Sequence, residues 1–191
     1  MDEIRLGMIG CGQISARFFN QAKQLPSVRF VATCAAHEES ARAKAVENDC
    51  PRWYTDYRRL LDDPEIDAVV ITTPHQMHAP MAVDALRAGK HTLVEKPLST
   101  RWEHALTLAE ELKKAKVTFM ALPFVHNPAF LTALRYAREE YIGKITGIEA
   151  DLSFPGPPRS NWYYAREAEG GAMLDRIVSQ AARRQAALRP S

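Results

Sequence analysis

The sequence predicts an α/β protein: a Rossmann-type doubly wound parallel sheet followed by the start of a second α/β domain. Three observations carry this. Short apolar strands alternate with amphipathic helices from Ile4 to Leu122. The turn Gly10-Cys11-Gly12 joins the first strand to the first helix. After Leu122 the alternation gives way to a Pro-headed helix and one long alternating strand. Strands separated by helices pair in parallel, are covered on both faces, and are linked by right-handed crossovers.

Each element has its own signal. In residues 4–9, Ile4, Leu6 and Met8 share one side and Ile9 leads into Gly10, as expected of a buried strand. Over 13–25 the spacing becomes helical through Ile14, Phe18, Ala22 and Leu25, and Pro26 stops it. Val28, Phe30, Ala32 and Cys34 line a second strand, completing one βαβ unit. Residues 40–47 and 57–62 read as helices, and Ala68-Val69-Val70-Ile71-Thr72 as a strand buried on both faces. A helix over 79–88 is expected to end at Gly89. His91–Val94 is the next strand. A capping box follows, with Thr100 as cap and Glu103 reaching back, opening a helix with Trp102, Leu106, Ala109 and Leu112 inward. Val117–Leu122 ends the series. Beyond it, Asn127 caps a helix with Pro128 at its first position and Gly143 at its end, and Ile148–Phe154 alternates as a strand. The expected division is therefore 1–122 as one domain and 123–191 as an incomplete second one with a basic tail at 176–191.

Composition narrows the classes. The chain has 191 residues, 46% hydrophobic and 25% charged, with a net charge of +2. These are ordinary values for a globular protein and exclude a disordered or collagen-like chain. No apolar run approaches the length of a membrane span, and no secretory leader is evident, so a cytoplasmic protein is expected, with neither membrane nor nucleic acid as partner. Cys11, Cys34 and Cys50 show no CxxC or metal-ligand spacing, which fits reduced thiols and no metal. Arg176, Arg183, Arg184 and Arg189 face no acid within the tail, which reads as a solvated end rather than a binding arm.

Gly10-Cys11-Gly12-Gln13-Ile14-Ser15 is the candidate dinucleotide cradle. Gly10 allows the tight turn. Gly12 lets the backbone approach a pyrophosphate at the helix N-terminus, where free N–H groups and the helix dipole favour anions. Ser15 stands at the third glycine position and is small enough for close helix–strand packing. At the end of the second strand, Ala35, Ala36 and His37 replace the acid that bonds a ribose 2′-OH. No Arg stands nearby for a 2′-phosphate, since Arg42 lies further into the next helix, so NAD and NADP both stay open.

Two more segments lie at strand ends, where open α/β sheets bind ligands: Thr72-Thr73-Pro74-His75-Gln76-Met77-His78 and Glu95-Lys96-Pro97. With the glycine turn they resemble the Gfo/Idh/MocA family, named for glucose–fructose oxidoreductase and inositol 2-dehydrogenase. Asn161-Trp162-Tyr163-Tyr164 and Gly170-Gly171-Ala172-Met173-Leu174-Asp175 resemble the family's entry into its second domain. The resemblance implies a Rossmann domain followed by an open-sheet α/β domain, and an NAD- or NADP-dependent oxidoreductase acting on a sugar, cyclitol or related cyclic alcohol. It also implies a homo-oligomer for the full-length family. By position, Gly10, Gly12, Gln13 and Ile14 face the pyrophosphate, and Thr73, Pro74 and His75 line the nicotinamide end. His78 opens the following helix, Glu95 contacts the cofactor ribose, Lys96 is the catalytic lysine and Asp175 orients. A lysine amine beside the nicotinamide can take the hydroxyl proton as hydride leaves the carbinol carbon.

The chain departs from the family pattern in three places. Ile177 stands where a glycine follows the Asp, Ser179 where a His or Tyr assists the lysine, and Pro123 where a polar residue faces the cofactor. These departures support a rival expectation, an inactive NAD(P)-binding fragment or pseudoenzyme lacking most of its second domain. A basic-tail interaction protein is a further rival.

Overall fold

The computed structural model describes residues 3–121, 128–139, 141, 143 and 162–165. The chain divides into two compact units, Met1–Ala121 and Leu122–Ser191.

The first unit is a parallel sheet with helices on its crossovers. Its strands are β1 (Ile4–Ile9), β2 (Val28–Cys34), β3 (Arg52–Tyr54), β4 (Ala68–Ile71), β5 (His91–Val94) and β6 (Phe119–Ala121). Every pairing is parallel, and the order across the sheet is β3-β2-β1-β4-β5-β6. The order reverses between β1 and β4, where crossovers leave in opposite directions and open a crevice at the strands' carboxyl ends. The helices are α1 (Ser15–Ala22), α2 (Glu38–Glu47), α3 (Tyr57–Leu61), α4 (His78–Arg87) and α5 (Trp102–Lys114).

Apolar patterning places the core. Ile9, Val31, Val69, Ile71 and Val94 from the strands meet Leu60, Ile66, Ala82, Leu86 and Leu108, all nearly inaccessible to solvent. Each fully buried aliphatic side chain of this size contributes roughly 1.5–3 kcal/mol. At the amino end of the sheet Arg5 braces β1 to β4. Its Nη2 donates to Asp67 Oδ1 at 2.7 Å and its Nε to Asp67 Oδ2 at 3.0 Å. The Arg5 backbone N–H adds a third bond to Asp67 at 2.8 Å.

Three local expectations are corrected, and one strand that the sequence did not signal is added. The first helix is shorter than 13–25: it runs Ser15–Ala22, with Ile14 at its N-cap. β3 carries no sequence signal of its own; its three residues form a strand by pairing with Ala32–Cys34. The Thr100–Glu103 capping box does not set the start of α5, whose N-cap is Arg101. Ser99 Oγ donates to the Arg101 carbonyl at 2.8 Å and accepts from the Arg101 N–H, a tight turn that moves the helix start one residue on. The helix consequently faces differently: Trp102 and Leu106 are exposed, at 72% and 48%, and Leu108 is the residue buried. By contrast, α4 does end at Arg87 with Gly89 at φ +71° beyond it.

In the second unit, α6 (Pro128–Arg138) begins at the expected proline. It stops before Gly143, which takes φ +70° further on. A single turn of 3-10 helix at Trp162–Tyr164 stacks its three rings edge-on, and Tyr163 is buried. The helix cap expected at Asn127 and the strand expected at Ile148–Phe154 lie outside the described residues, as does the basic tail.

Candidate cofactor and active site

The crevice is built from three segments at the carboxyl ends of β1, β4 and β5. The first is the glycine turn. Gly10 has φ +100°, and a Cβ there would meet the Thr72 carbonyl carbon at 2.7 Å and the Thr73 nitrogen at 2.8 Å. Glycine is needed here for two reasons, the left-handed backbone and the close approach of the β4 loop. Thr72 Oγ1 seals the contact by donating to the Gly10 carbonyl at 2.6 Å. Gly12 differs: it is exposed, and a Cβ there would meet nothing within 4 Å. Ser15 is fully buried and donates its hydroxyl to the Gly12 carbonyl at 2.6 Å, which fixes the turn onto α1. Ile14, the N-cap, makes no side-chain cap, and no acidic residue occupies the first turn. Of the first N–H groups of α1, Ser15 donates to the Gly12 carbonyl at 3.1 Å and Arg17 to the Ile14 carbonyl at 3.2 Å. This end's capacity to bind an anion therefore rests on the remaining N–H groups of the turn and on the helix dipole. Gln13 and Ile14 are exposed around that end. Cys11 donates its thiol to the Cys34 carbonyl at 3.5 Å, and burial pushes the thiol up to about 11.

The second segment follows β4. Pro74 precedes a turn of 3-10 helix, His75–Met77, which leads directly into α4 at His78. Thr73 and Pro74 are half-buried, and His75 is only 5% exposed. Thr73 Oγ1 and Gln76 Oε1 are buried with no hydrogen-bond partner among the described residues. Buried polar atoms are nearly always paired, so these two are candidates for ligand contacts. His78 is 1% exposed, with Nδ1 2.7 Å from the Pro97 carbonyl oxygen and Nε2 2.8 Å from that of Thr73. Burial pushes its imidazole below the usual histidine range, against the pull of those carbonyls.

The third segment follows β5. Glu95 is 4% exposed, and its backbone N–H donates to the Ile71 carbonyl, continuing the pairing of β4 with β5. Its carboxylate accepts from the Lys96 backbone N–H at 2.9 Å, which curls the turn back on itself. Lys96 is half-buried, and the Lys96–Pro97 peptide bond is cis.

Of the residues singled out from the sequence, ten fall on these segments: Gly10, Gly12, Gln13, Ile14, Thr73, Pro74, His75, His78, Glu95 and Lys96. They gather at the ends of three strands adjacent in the sheet. Asp175 lies outside the described residues. His78 points inward, its nitrogens turned to backbone rather than to the crevice. Sequence reading passed over Thr72 as the seal on the glycine turn and Gln76 as an inward polar group. The signal for Gln76 was its place between two histidines at a strand end. A dinucleotide fits what is present: an open approach over Gly12, an uncapped helix end for the pyrophosphate, and an orphaned Thr73 hydroxyl further along the crevice. Among the described residues no group of three or more His, Cys, Asp or Glu is arranged to hold a metal ion.

The chain is 35% identical, over 90% of its length and 51% of the relative's, to a dTDP-3,4-didehydro-2,6-dideoxy-alpha-D-glucose 3-reductase from Streptomyces violaceoruber. It is 31% identical to a levoglucosan dehydrogenase from Pseudarthrobacter phenanthrenivorans, over 94% of this chain and 49% of that one. Among solved structures it matches a mutant of KijD10, a 3-ketoreductase from Actinomadura kijaniata in complex with TDP-benzene and NADP. The TM-score is 0.84 at 30% identity, over 91% of this chain and 54% of that one. The chain spans about half the length of the curated relatives it matches. The family model GFO_IDH_MocA, an oxidoreductase family with an NAD-binding Rossmann fold, matches residues 4–122, and the protein belongs to that family.

Proposed function

We propose that this chain carries the NAD(P)-binding domain, residues 1–122, and the opening of the substrate domain, 123–191, of an oxidoreductase acting on a sugar, cyclitol or related cyclic alcohol. The observation that carries the reading is the meeting of the Thr73–His78 loop and the Glu95-Lys96-Pro97 turn at the ends of neighbouring strands, beside a glycine turn open over Gly12. A bound nicotinamide ring supplies hydride exchange with a carbinol carbon. The chain's residues do the rest. The N–H groups at the start of α1 hold the pyrophosphate, with Gln13 and Ile14 beside them. The Thr73 hydroxyl, Pro74 and His75 border the nicotinamide end. Glu95, held by its bond from the Lys96 N–H, offers its carboxylate to a ribose hydroxyl. Lys96 exchanges the proton of the reacting hydroxyl, and Asp175 orients the substrate.

Ala35, Ala36 and His37 at the end of β2 present no carboxylate to a 2′-position, so both NAD and NADP are admitted. Relatives named as a deoxysugar-nucleotide reductase and a levoglucosan dehydrogenase support a sugar-like substrate. The free thiols Cys11, Cys34 and Cys50 support a reducing, cytoplasmic setting. No helix among the described residues is long and apolar enough to cross a membrane.

Calorimetric titration with NADH and NADPH, followed by a turnover screen on sugars, cyclitols and nucleotide sugars, tests the proposal. Lys96→Met is expected to lower turnover by about 10²–10⁴ with little change in cofactor affinity. Binding of neither dinucleotide, or turnover unchanged across pH in the variant, would overturn it.

A further inference from the structure

We propose that His78 is a positioning residue, a brace between the two loops of the crevice that sets the Lys96 turn against the Thr73 loop. That it positions a reacting group rests on the proposed role of Lys96; the brace itself rests on geometry alone. The ring sits at the first residue of α4 and is 1% exposed. It spans two backbone carbonyls that belong to different segments. Nδ1 lies 2.7 Å from the Pro97 oxygen, 19 residues on, and Nε2 lies 2.8 Å from the Thr73 oxygen, five residues back. With neither nitrogen turned to the crevice, the imidazole is part of its frame rather than a ligand to the cofactor.

The chemistry of the ring lets it bond either loop, one at a time. Burial favours the neutral imidazole, with Lys96 acting in the same direction and the carbonyls of Pro97 and Thr73 opposing. His75 is the neighbouring aromatic group, its ring centroid 5.8 Å away. A neutral imidazole carries one N–H. It therefore donates to one carbonyl in each tautomer, to Pro97 from Nδ1 or to Thr73 from Nε2, and exchange between the two tautomers holds the two loops in turn. Asparagine places its amide nitrogen near the Nδ1 position and glutamine near the Nε2 position. Each variant therefore keeps the donor to one loop and drops it to the other.

The test uses the full chain and two probes, NADH and ADP-ribose; the second has the pyrophosphate but no nicotinamide. His78→Phe keeps a ring and removes both nitrogens. It is expected to weaken NADH by about tenfold, the factor that goes with one net hydrogen bond. ADP-ribose binding should stay within about twofold, since the glycine turn is untouched. Hydrogen exchange should rise together in 72–76 and 95–98 and stay at wild-type level in β1 and β2. His78→Asn is expected to restore protection at 95–98, and His78→Gln at 72–76. Equal loss of both probes, exchange rising across the whole sheet, or a Phe variant identical to wild type would overturn the brace. Should the Phe variant not fold, the Asn and Gln pair decides. Opposite loops released in the two variants uphold the brace, and release of neither or of both overturns it. If the wild type binds neither probe, the proposed function fails, while the exchange pattern still judges the brace.

Discussion

Gly10 and Gly12 sit two residues apart in one turn, yet the structure assigns them opposite sensitivities. In Gly10→Ala the new methyl would lie 2.7 Å from the Thr72 carbonyl carbon and 2.8 Å from both its oxygen and the Thr73 nitrogen, at φ +100°. The obstacles are backbone atoms of a neighbouring strand end, so no side chain can swing aside. Strain in that backbone region costs of order 1–3 kcal/mol. Overpacking against an unyielding wall costs about as much again. The expected destabilisation is therefore about 2–6 kcal/mol, a fall in Tm on the order of 10 °C for a unit of this size. Gly12→Val meets nothing within 4 Å and needs no left-handed backbone. It should leave Tm within a few degrees of wild type and abolish NADH binding, because the branched side chain occupies the pyrophosphate's approach. Calorimetric unfolding paired with NADH titration reads both effects. A Gly10→Ala variant as stable as wild type, or a Gly12→Val variant that binds NADH normally, would refute the reasoning.

Two further outcomes follow from single groups. Thr73→Val removes a buried hydroxyl with no described partner, so stability should hold or rise by up to about 1 kcal/mol while NADH binding weakens several-fold; unfolding curves and titration together check this. The hydrogen bonds from Arg5 hold the Asp67 carboxyl down at about 2, from an ordinary 3.8. A depressed carboxylate contributes stability above its unfolded value, and that contribution is lost as pH falls through its folded value. Acid unfolding between about pH 4 and 2 should therefore flatten in Asp67→Asn, which also loses about 1 kcal/mol near neutrality. An unchanged acid limb would show that the Arg5 brace contributes nothing.

What the sequence disclosed and what it withheld divide along a physical line. β1, β2, β4 and β5 were legible because each is a run of apolar or alternating residues whose burial needs no knowledge of its neighbours. β3 was not: Arg52-Trp53-Tyr54 has no alternation, and its strand state comes from Cys34 and the residues before it. The face of α5 was misread because the helix carries two apolar stripes, Trp102/Leu106/Ala109 and Ala105/Leu108/Leu112. The rotation that buries Leu108 is set by the Ser99–Arg101 turn that delivers the chain to it. In the candidate site, the glycine turn and the Glu95-Lys96-Pro97 turn were legible as local chemistry. The bracing between them was not, since His78 reaches Pro97 across a strand, a helix and a turn.

The seal between Thr72 and Gly10 joins residues 62 positions apart. Its consequence is for the order of events during folding. The first βαβ unit, though locally complete, has no wall on the β4 side of its glycine turn until the chain has closed that long loop and laid β4 against β1. Closing a loop of this length is entropically costly and slow compared with forming a hairpin or a helix. Dinucleotide capture thus comes late: the ligand selects molecules in which both halves of the sheet have already met. A peptide ending at Cys34 would carry every glycine of the turn and still offer only half a cradle.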